Sequence, residues 1–260
     1  MAFNDRQESI LKTLRRIGEV EVDTLAQAWN VTTQTVRRDL SELCEAGLAV
    51  RTHGGAKRML TTSVIAYEDR RLKHTLAKSA VSDAAAGLVP NGASVALNIG
   101  TTTEMVAQAL RMHRDLTIVS NNINVVHILR ASRLKSLVLI GGEVRLSDGA
   151  VVGGDAIKAI SNFKVDFAII GASSLDPDGS ILDFDQREVS VSRAILENAR
   201  KKILVADVSK FGVSAPVRIC DAKDLDFVIL NAPPPPSFEA SLRAQDTKLI
   251  IAGKKDAKPN

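Results

Sequence analysis

A short segment near position 100 has the residues needed to bind an anion. An apolar stretch ends at Ile99 and is followed by Gly100 and the three threonines Thr101, Thr102 and Thr103. If a helix begins there, its first backbone N–H groups, its dipole and the threonine hydroxyls all favour a negatively charged ligand. The same threonines would also suit an ordinary turn and helix cap, so on its own the segment leaves both interpretations open.

Other polar segments follow later apolar runs in the same way. They are Ser120, Asn121 and Asn122; Gly142, Glu143 and Arg145; Gly171, Ala172 and Ser173; Asp183, Asp185 and Glu188; and Lys210. The carboxyl ends of parallel strands meet at one edge of a sheet, where such folds bind ligands. We therefore expect a small phosphorylated ligand, with Arg145 or Lys210 as its cation. Asp185 and Glu188 would accept hydrogen bonds from its hydroxyls, although Glu188 also suits the first turn of a helix.

A second group of polar residues lies near the amino terminus and could read DNA. Thr33, Gln34, Thr35, Arg37 and Arg38 fall on the polar side of a predicted helix that follows a tight turn. Arginine and glutamine at that end of a helix are side chains that read base edges in a major groove. Two adjacent arginines can equally be a solvated helix face.

The segment after this helix has the composition of a small hairpin around Gly54 and Gly55. It carries Arg51, Lys57 and Arg58, whose positive side chains could reach DNA phosphates, and His53, which we also expect to contact DNA. Hydrophobic spacing predicts three helices before the hairpin, with Asp23 capping the second, Thr32 capping the third and Gly47 ending it.

From about residue 76 the pattern changes to alternating helices and continuous apolar strands, which is typical of an α/β domain with a parallel sheet. We therefore predict four segments. They are a helical DNA-binding domain at 1–58, a linker at 59–75, an effector-sensing α/β domain at 76–252 and a tail at 253–260.

Composition is that of a globular protein. The chain has 260 residues, of which 45% are hydrophobic, 25% charged and only 3% aromatic, and its formal net charge is +4. No apolar run approaches the roughly 18 residues of a membrane span, and no secretory signal is present, so we expect a cytoplasmic protein. Cys44 and Cys220 are isolated, which argues against a disulfide framework or a cysteine-based metal site.

The stretch VTTQTVRRDLSELCEAGLAVRTHGGA resembles the winged helix-turn-helix signature of DeoR-type bacterial transcription repressors, with Thr32 where serine is usual. The stretches NIGTTTEMVAQAL, SNNINV, GGEVRLSDGAVVG, DPDGSILDFDQREV and DVSKF resemble the sensor half of that family, over residues 76–236. Its fold is similar to ribose-5-phosphate isomerases and CoA transferases. Relatives commonly carry aspartate where this chain has Asn98.

The resemblance implies a repressor of a carbohydrate or glycerol catabolic operon that binds double-stranded operator DNA as a homodimer or homotetramer. It also implies release by a phosphorylated polyol or sugar, for which glycerol 3-phosphate is the first candidate.

Two other functions are compatible with the sequence. The carboxylates Asp183, Asp185 and Glu188 could shuttle a proton, so a sugar-phosphate isomerase-like enzyme is the alternative. However, no nucleophile-elbow, phosphate-loop or zinc-protease motif is present, and the four histidines have no metal or triad spacing. We accordingly predict no catalytic residue, metal or cofactor. A plain protein-binding module is the third possibility.

Overall fold

The computed structural model describes residues 3–46, 48–58, 62–243 and 246–253. Its internal contacts divide the chain into two units, Met1–Ile65 and Ala66–Asn260. Three of the predicted features lie wholly or partly outside the described residues: the stop at Gly47, positions 59–61 of the linker and positions 254–260 of the tail.

The first unit is a three-helix domain with a small antiparallel sheet. Its elements are α1 (Asp5–Ile17), β1 (Glu19–Glu21), α2 (Val22–Trp29), α3 (Thr33–Glu45), β2 (Ala49–Arg51) and β3 (Gly55–Arg58). The strands pair in the order β1-β3-β2. The core is aliphatic and includes the fully buried Ile10, Val36, Leu40 and Leu43. The predicted helical domain with its hairpin is therefore confirmed, and β1 is an addition too short to show in the sequence pattern.

Local hydrogen bonds fix the turn before α3. Asn30 adopts the left-handed conformation that ends α2, and the backbone N–H of Thr35 donates to Thr32 Oγ1 at 3.2 Å. The predicted Thr32 cap is thus confirmed. The predicted Asp23 cap is wrong, because α2 begins at Val22, two residues earlier than this cap would give. Asp23 lies within the first turn, where the helix dipole favours its carboxylate.

An ion pair holds α1 against α3. The guanidinium of Arg6 donates two hydrogen bonds to the carboxylate of Asp39, one of them from Nη2 to Oδ1 at 3.0 Å. Asp39 is only 4% exposed and belongs to the Arg-Arg-Asp-Leu stretch. Beside it, Gln7 Nε2 donates to Glu42 Oε2 at 2.6 Å. The aspartate of this stretch therefore positions α3, while its two arginines remain exposed.

Helix α4 (Thr62–Leu72) crosses the boundary between the two units. This stretch lies in the segment predicted to be a linker, so most of that segment is helical.

The second unit is an α/β domain. Its elements are α5 (Thr75–Gly87), β4 (Ser94–Leu97), α6 (Thr101–Ala109), β5 (Leu116–Ser120), α7 (Ile123–Leu129), β6 (Leu134–Leu139), β7 (Glu143–Arg145), β8 (Ala150–Val152), α8 (Gly154–Ile160), β9 (Val165–Ile170), β10 (Ser174–Leu175), β11 (Ser180–Asp183), α9 (Gln186–Glu197), β12 (Ala199–Ala206), β13 (Val217–Asp221), β14 (Phe227–Leu230), α10 (Pro236–Leu242) and β15 (Lys248–Ile251).

Seven of these strands form one parallel sheet in the order β15-β14-β12-β9-β4-β5-β6. Aliphatic clusters cover both of its faces. The chain reverses its direction of strand addition between β4 and β9, which places a ligand-binding crevice at their carboxyl ends. The predicted parallel α/β domain is confirmed. The hairpin β7–β8 and the antiparallel sheet β10-β11-β13 were not predicted.

We expect the Arg6–Asp39 pair to stabilise the first unit measurably. Asp39→Asn should lower its free energy of unfolding by about 1–3 kcal/mol, because Arg6 loses its counter-ion and the buried side chain at position 39 loses its charge-assisted hydrogen bonds. Trp29 is the only tryptophan in the chain and packs against the core of this unit, so its fluorescence in a urea titration reports the change.

The exposed Glu45→Gln, on the same helix, is the matched control and should leave the midpoint unchanged. In a double-mutant cycle, Arg6→Gln combined with Asp39→Asn should cost less than the sum of the single changes. Additive losses would show that the two side chains do not stabilise the unit as a pair.

Candidate DNA-reading face and effector cavity

Helix α3 presents its polar side chains on one open groove. Gln34, Thr35, Arg37 and Arg38 line this groove together with Arg51 from β2. Gln34, Arg37 and Arg38 are exposed, and Arg38 also pairs with Glu42 one turn along the helix at 3.3 Å. The structure therefore brings together most of the predicted DNA-reading residues on one face.

Three predicted DNA-binding residues lie beside this groove rather than in its wall. Thr33 is exposed at the first position of α3, and His53 and Lys57 are exposed on the hairpin. Arg51 differs from them because its Nη1 donates to the backbone oxygen of Arg37 at 3.1 Å. Arg51 thus ties the hairpin to α3.

A cavity opens at the carboxyl ends of β4 and β9, next to the crevice predicted from the topology. Its lining comprises Tyr67, Arg70, Ile99, Gly100, Thr101, Thr102, Asp148, Gly171, Ala172, Ser173, Asp183, Glu188 and Lys210. Of the predicted effector residues, Gly100, Thr101, Thr102, Glu188 and Lys210 are brought together here. We call this feature the effector cavity.

Part of the lining of the effector cavity suits an anion. Gly100 immediately precedes α6, with a φ of 131° that disfavours other residues, so the helix begins at the cavity wall. Lys210 lies on a short 3-10 turn after β12 and lines the same cavity. Burial lowers the pKa of Lys210, and the nearby Asp207 only partly offsets this effect. A bound phosphate would stabilise the charged form of this lysine.

The cavity lining also includes the carboxyl groups of Asp183 and Glu188. Asp183 at the end of β11 is 5% exposed, and its Oδ1 accepts from the backbone N–H of Phe184 at 2.6 Å. Glu188 lies in the first turn of α9. Burial and the neighbouring Asp183 raise the pKa of Glu188 to about 8, although Arg145 acts in the opposite direction. Glu188 therefore keeps its proton to a higher pH than an ordinary glutamate, and its protonated form can donate a hydrogen bond as well as accept one.

Arg145 does not line the cavity, contrary to one of the two predictions for its cation. Its guanidinium binds three carboxylates, reaching Asp148 at 2.6 Å, Glu188 at 2.8 Å and Asp185 at 2.9 Å. Asp185 is also outside the lining, since it caps α9 and pairs with Arg187. Burial alone would raise the pKa of Asp185, but hydrogen bonds from Arg187 and Arg145 lower it.

The remaining predicted effector residues have other positions. Thr103 is buried and donates to the backbone oxygens of Asn98 and Gly100. Glu143 is an exposed partner of Arg187, and Gly142 packs against β8.

Three further predicted effector residues are buried after β5 and outside the cavity lining. Ser120 Oγ donates to Leu97 O at 2.7 Å, and Asn121 Nδ2 donates to Val151 O at 3.0 Å. Asn122 caps α7 and donates to the buried carboxylate of Glu104 at 3.2 Å. These side chains support the cavity walls.

Sequence reasoning missed Tyr67 and Arg70 because they lie on α4, in the segment predicted to be a linker. Tyr67 Oη donates to Glu104 on α6, at 2.7 Å from Oε1 and 2.9 Å from Oε2. The backbone oxygen of Arg70 accepts a hydrogen bond from the buried Lys78 on α5. From Tyr67 onward, α4 is therefore fastened to the α/β unit and forms part of the cavity wall.

Family comparisons now bear on these two features. The profile of the DeoR-like helix-turn-helix domain matches residues 6–62, and that of the DeoR C terminal sensor domain matches residues 73–232. The chain belongs to the DeoR family. The first match covers α3 and its hairpin, and the second covers every cavity-lining residue except Tyr67 and Arg70 on α4.

DeoR relatives align over nearly the whole chain. The glycerol-3-phosphate regulon repressor of Haemophilus influenzae is 40% identical, covering 96% of this chain and 97% of its own length. The repressor of the same name in Escherichia coli K12 is also 40% identical, over 91% and 94%. The E. coli repressor CsqR is 33% identical over 95% of each chain.

Among solved structures, ribose 5-phosphate isomerase from Plasmodium falciparum covers 52% of both chains at 15% identity and a TM-score of 0.36. That likeness is too distant to bear on activity. Within the described residues, no helix is long and apolar enough to cross a membrane, and no cluster of three potential metal ligands occurs.

The pKa of Glu188 predicts a pH effect on stability. Its folded value of about 8 exceeds the ordinary 4.5, so the folded state binds a proton more tightly than the unfolded chain. The resulting stabilisation is fully present below about pH 4.5 and is lost as the pH rises towards 8. Between pH 5 and 8, Glu188→Gln should therefore show a flatter dependence of unfolding free energy on pH than the unmodified protein, measured by urea titration with circular dichroism.

Glu197→Gln is the matched control because this glutamate is exposed on the same helix. It should follow the unmodified protein at every pH. Parallel curves for Glu188→Gln and the unmodified protein would contradict the raised pKa.

Proposed function

We propose that this protein is a DNA-binding transcriptional repressor that releases its operator when a phosphorylated polyol or sugar fills the effector cavity. The observation that carries the proposal is the cavity itself, in which a helix start and Lys210 face two carboxyl groups. This cavity belongs to a chain whose α3 exposes Arg37 and Arg38. Glycerol 3-phosphate is the first candidate inducer because two 40% identical relatives are named for its regulon.

The start of α6, at Gly100–Thr102, binds the phosphate in this proposal. The first backbone N–H groups of an α-helix have no partner within the helix, and the helix dipole favours negative charge there. Lys210 adds a positive charge, and its lowered pKa means that an anion would strengthen its protonation. A phosphate monoester is therefore the anion that we assign to the start of α6 and Lys210.

Hydroxyl recognition falls to Asp183 and Glu188. The carboxylate of Asp183 accepts hydrogen bonds, and a protonated Glu188 both accepts and donates them. A polyol or sugar hydroxyl is likewise a donor and an acceptor, so the pair matches its chemistry. A ligand with the phosphate at one end and hydroxyls at the other fits this distribution of charge.

Helix α4 supplies the coupling. It leads from the first unit into the second, and its residues Tyr67 and Arg70 form part of the cavity wall. A ligand that requires α4 to move binds one conformation better than the other, and this differential affinity limits its effect on operator binding. Tyr67 and its partner Glu104 are the contacts that such a ligand would disturb.

We assign the cavity to sensing rather than to catalysis, because relatives that cover nearly the whole chain are named as repressors. Double-stranded operator DNA is the macromolecular partner, bound in the cytoplasm by a homodimer or homotetramer. The predicted role of Arg37, Arg38 and the hairpin residues is contact with that DNA.

Thermal unfolding against a panel of small phosphates tests the ligand class. A ligand at 100 times its Kd that binds only the folded state stabilises by about 2.7 kcal/mol, which gives a clear rise in Tm. We expect this rise with glycerol 3-phosphate and a smaller rise in Lys210→Gln, because the variant lacks one of the two cationic side chains that line the cavity.

The matched control is Lys223→Gln, since Lys223 is exposed and does not line the effector cavity. It should retain the full rise. A rise with another sugar phosphate would keep the cavity assignment and change the inducer, whereas no rise with any phosphate would overturn it.

Tyr67→Phe tests the coupling. Loss of the hydroxyl removes the hydrogen bonds between α4 and Glu104, so α4 should be released more easily. We expect weaker operator binding without inducer and tighter inducer binding, because both apparent affinities depend on the same conformational equilibrium. Fluorescence anisotropy with an operator selected from a random duplex library measures the first quantity, and calorimetry measures the second.

Asp69→Asn, exposed on the same helix, is the control and should change neither affinity. If Tyr67→Phe leaves both affinities unchanged, α4 does not carry the coupling.

Arg37→Ala should weaken operator binding by about 1–3 kcal/mol for a lost base contact and leave inducer binding intact.

A further inference from the structure

A basic groove lies at the amino ends of β5 and β6, at the opposite ends of these strands from the effector cavity. Arg111, Arg114 and Arg133 line it together with His113 and Ser132. The backbone N–H of Asp115, just before β5, donates to Arg133 O at 2.9 Å, just before β6. The groove is therefore built on a hydrogen-bonded part of the sheet, which holds the arginine backbones in place.

The positive charge of this groove is not neutralised by the fold. Arg111, Arg114 and Arg133 are exposed, and none of them makes an ion pair within the described part of the chain. Asp115 is the only acidic residue from 110 to 135, a stretch that also includes Arg130 and Lys135. This stretch by itself accounts for the whole formal net charge of +4.

Two polar atoms of the same groove are buried without a partner among the described residues. They are Nδ1 of His113 and Oγ of Ser132. A buried polar atom without a hydrogen bond costs about 1–3 kcal/mol, so a polar ligand in the groove would recover part of that cost. The Ser132 hydroxyl can donate to an acceptor such as a phosphate oxygen, and so can His113 Nδ1 in the tautomer that carries its hydrogen there.

We propose that this groove binds the phosphate backbone of duplex DNA that flanks the operator. Guanidinium groups match phosphate oxygens with two parallel hydrogen bonds, and such contacts carry no sequence information. The proposal rests on the proposed operator binding, which holds the same duplex at high effective concentration and so makes weak contacts count. The α/β unit would then add a second, sequence-independent DNA contact to the one made by α3.

The test compares two duplexes with the full-length protein. One holds the selected operator alone, and the other extends it by about 20 base pairs, or two helical turns, on each side. We expect tighter binding to the longer duplex and a steeper dependence of log Kd on log salt. In Arg111→Gln/Arg114→Gln/Arg133→Gln this slope should fall by about 2–3, because each phosphate contact contributes about 0.9.

The matched control is Lys158→Gln/Lys223→Gln/Lys248→Gln, which removes the same charge from exposed positions outside the groove. It should keep the gain from the longer duplex, and the arginine variant should bind the short duplex as the unmodified protein does. Equal affinity of the unmodified protein for both duplexes would overturn the proposal, as would a gain that survives in the arginine variant. Failure to bind either duplex would contradict the proposed function itself.

Discussion

A buried carboxylate, that of Glu104, is the interaction on which the sensor unit most depends. It is 5% exposed and forms no ion pair within 4 Å among the described residues, although it interacts electrostatically with Lys78, so its hydrogen bonds come from neutral donors. Those donors come from Tyr67 on α4 and from Asn122 and Asn124 at the start of α7. Since Glu104 itself lies on α6, one charge joins three helices, including the helix whose amino end faces the effector cavity.

Charge is distributed between structure and ligand in a consistent way. The guanidinium of Arg145 forms ion pairs with Asp148, Asp185 and Glu188, and these pairs hold the β7–β8 hairpin against α9. Lys210 is left as a half-buried cation at the cavity. Asn98 donates to Ser192 and accepts from the Gly171 N–H. An amide suits this position because both of its ends are used.

The sequence predicted the parallel sheet and the helical domain because long apolar runs and helical spacing record burial directly. It also predicted the Thr32 cap and the convergence of Gly100, Glu188 and Lys210. The hairpin β7–β8 and strand β10 were missed because two or three residues carry no readable period. Arg145 was wrongly assigned to the cavity. Its position in the sequence shows which edge of the sheet it lies near, but it does not show which carboxylates pair with its guanidinium. Tyr67 was missed because it lies in a charged segment without clear periodicity, and its burial comes only from tertiary contacts.

Because α4 supplies part of the cavity wall, the segment that must be kept together to preserve the cavity is longer than the α/β domain alone. A sensor cut at residue 76 would lack Tyr67 and leave Glu104 with amide donors only. Recombination that swaps DNA-reading heads between regulators of this kind must therefore cross before α4. Such a crossover keeps the whole cavity lining together, whereas a later one would replace Tyr67 and Arg70.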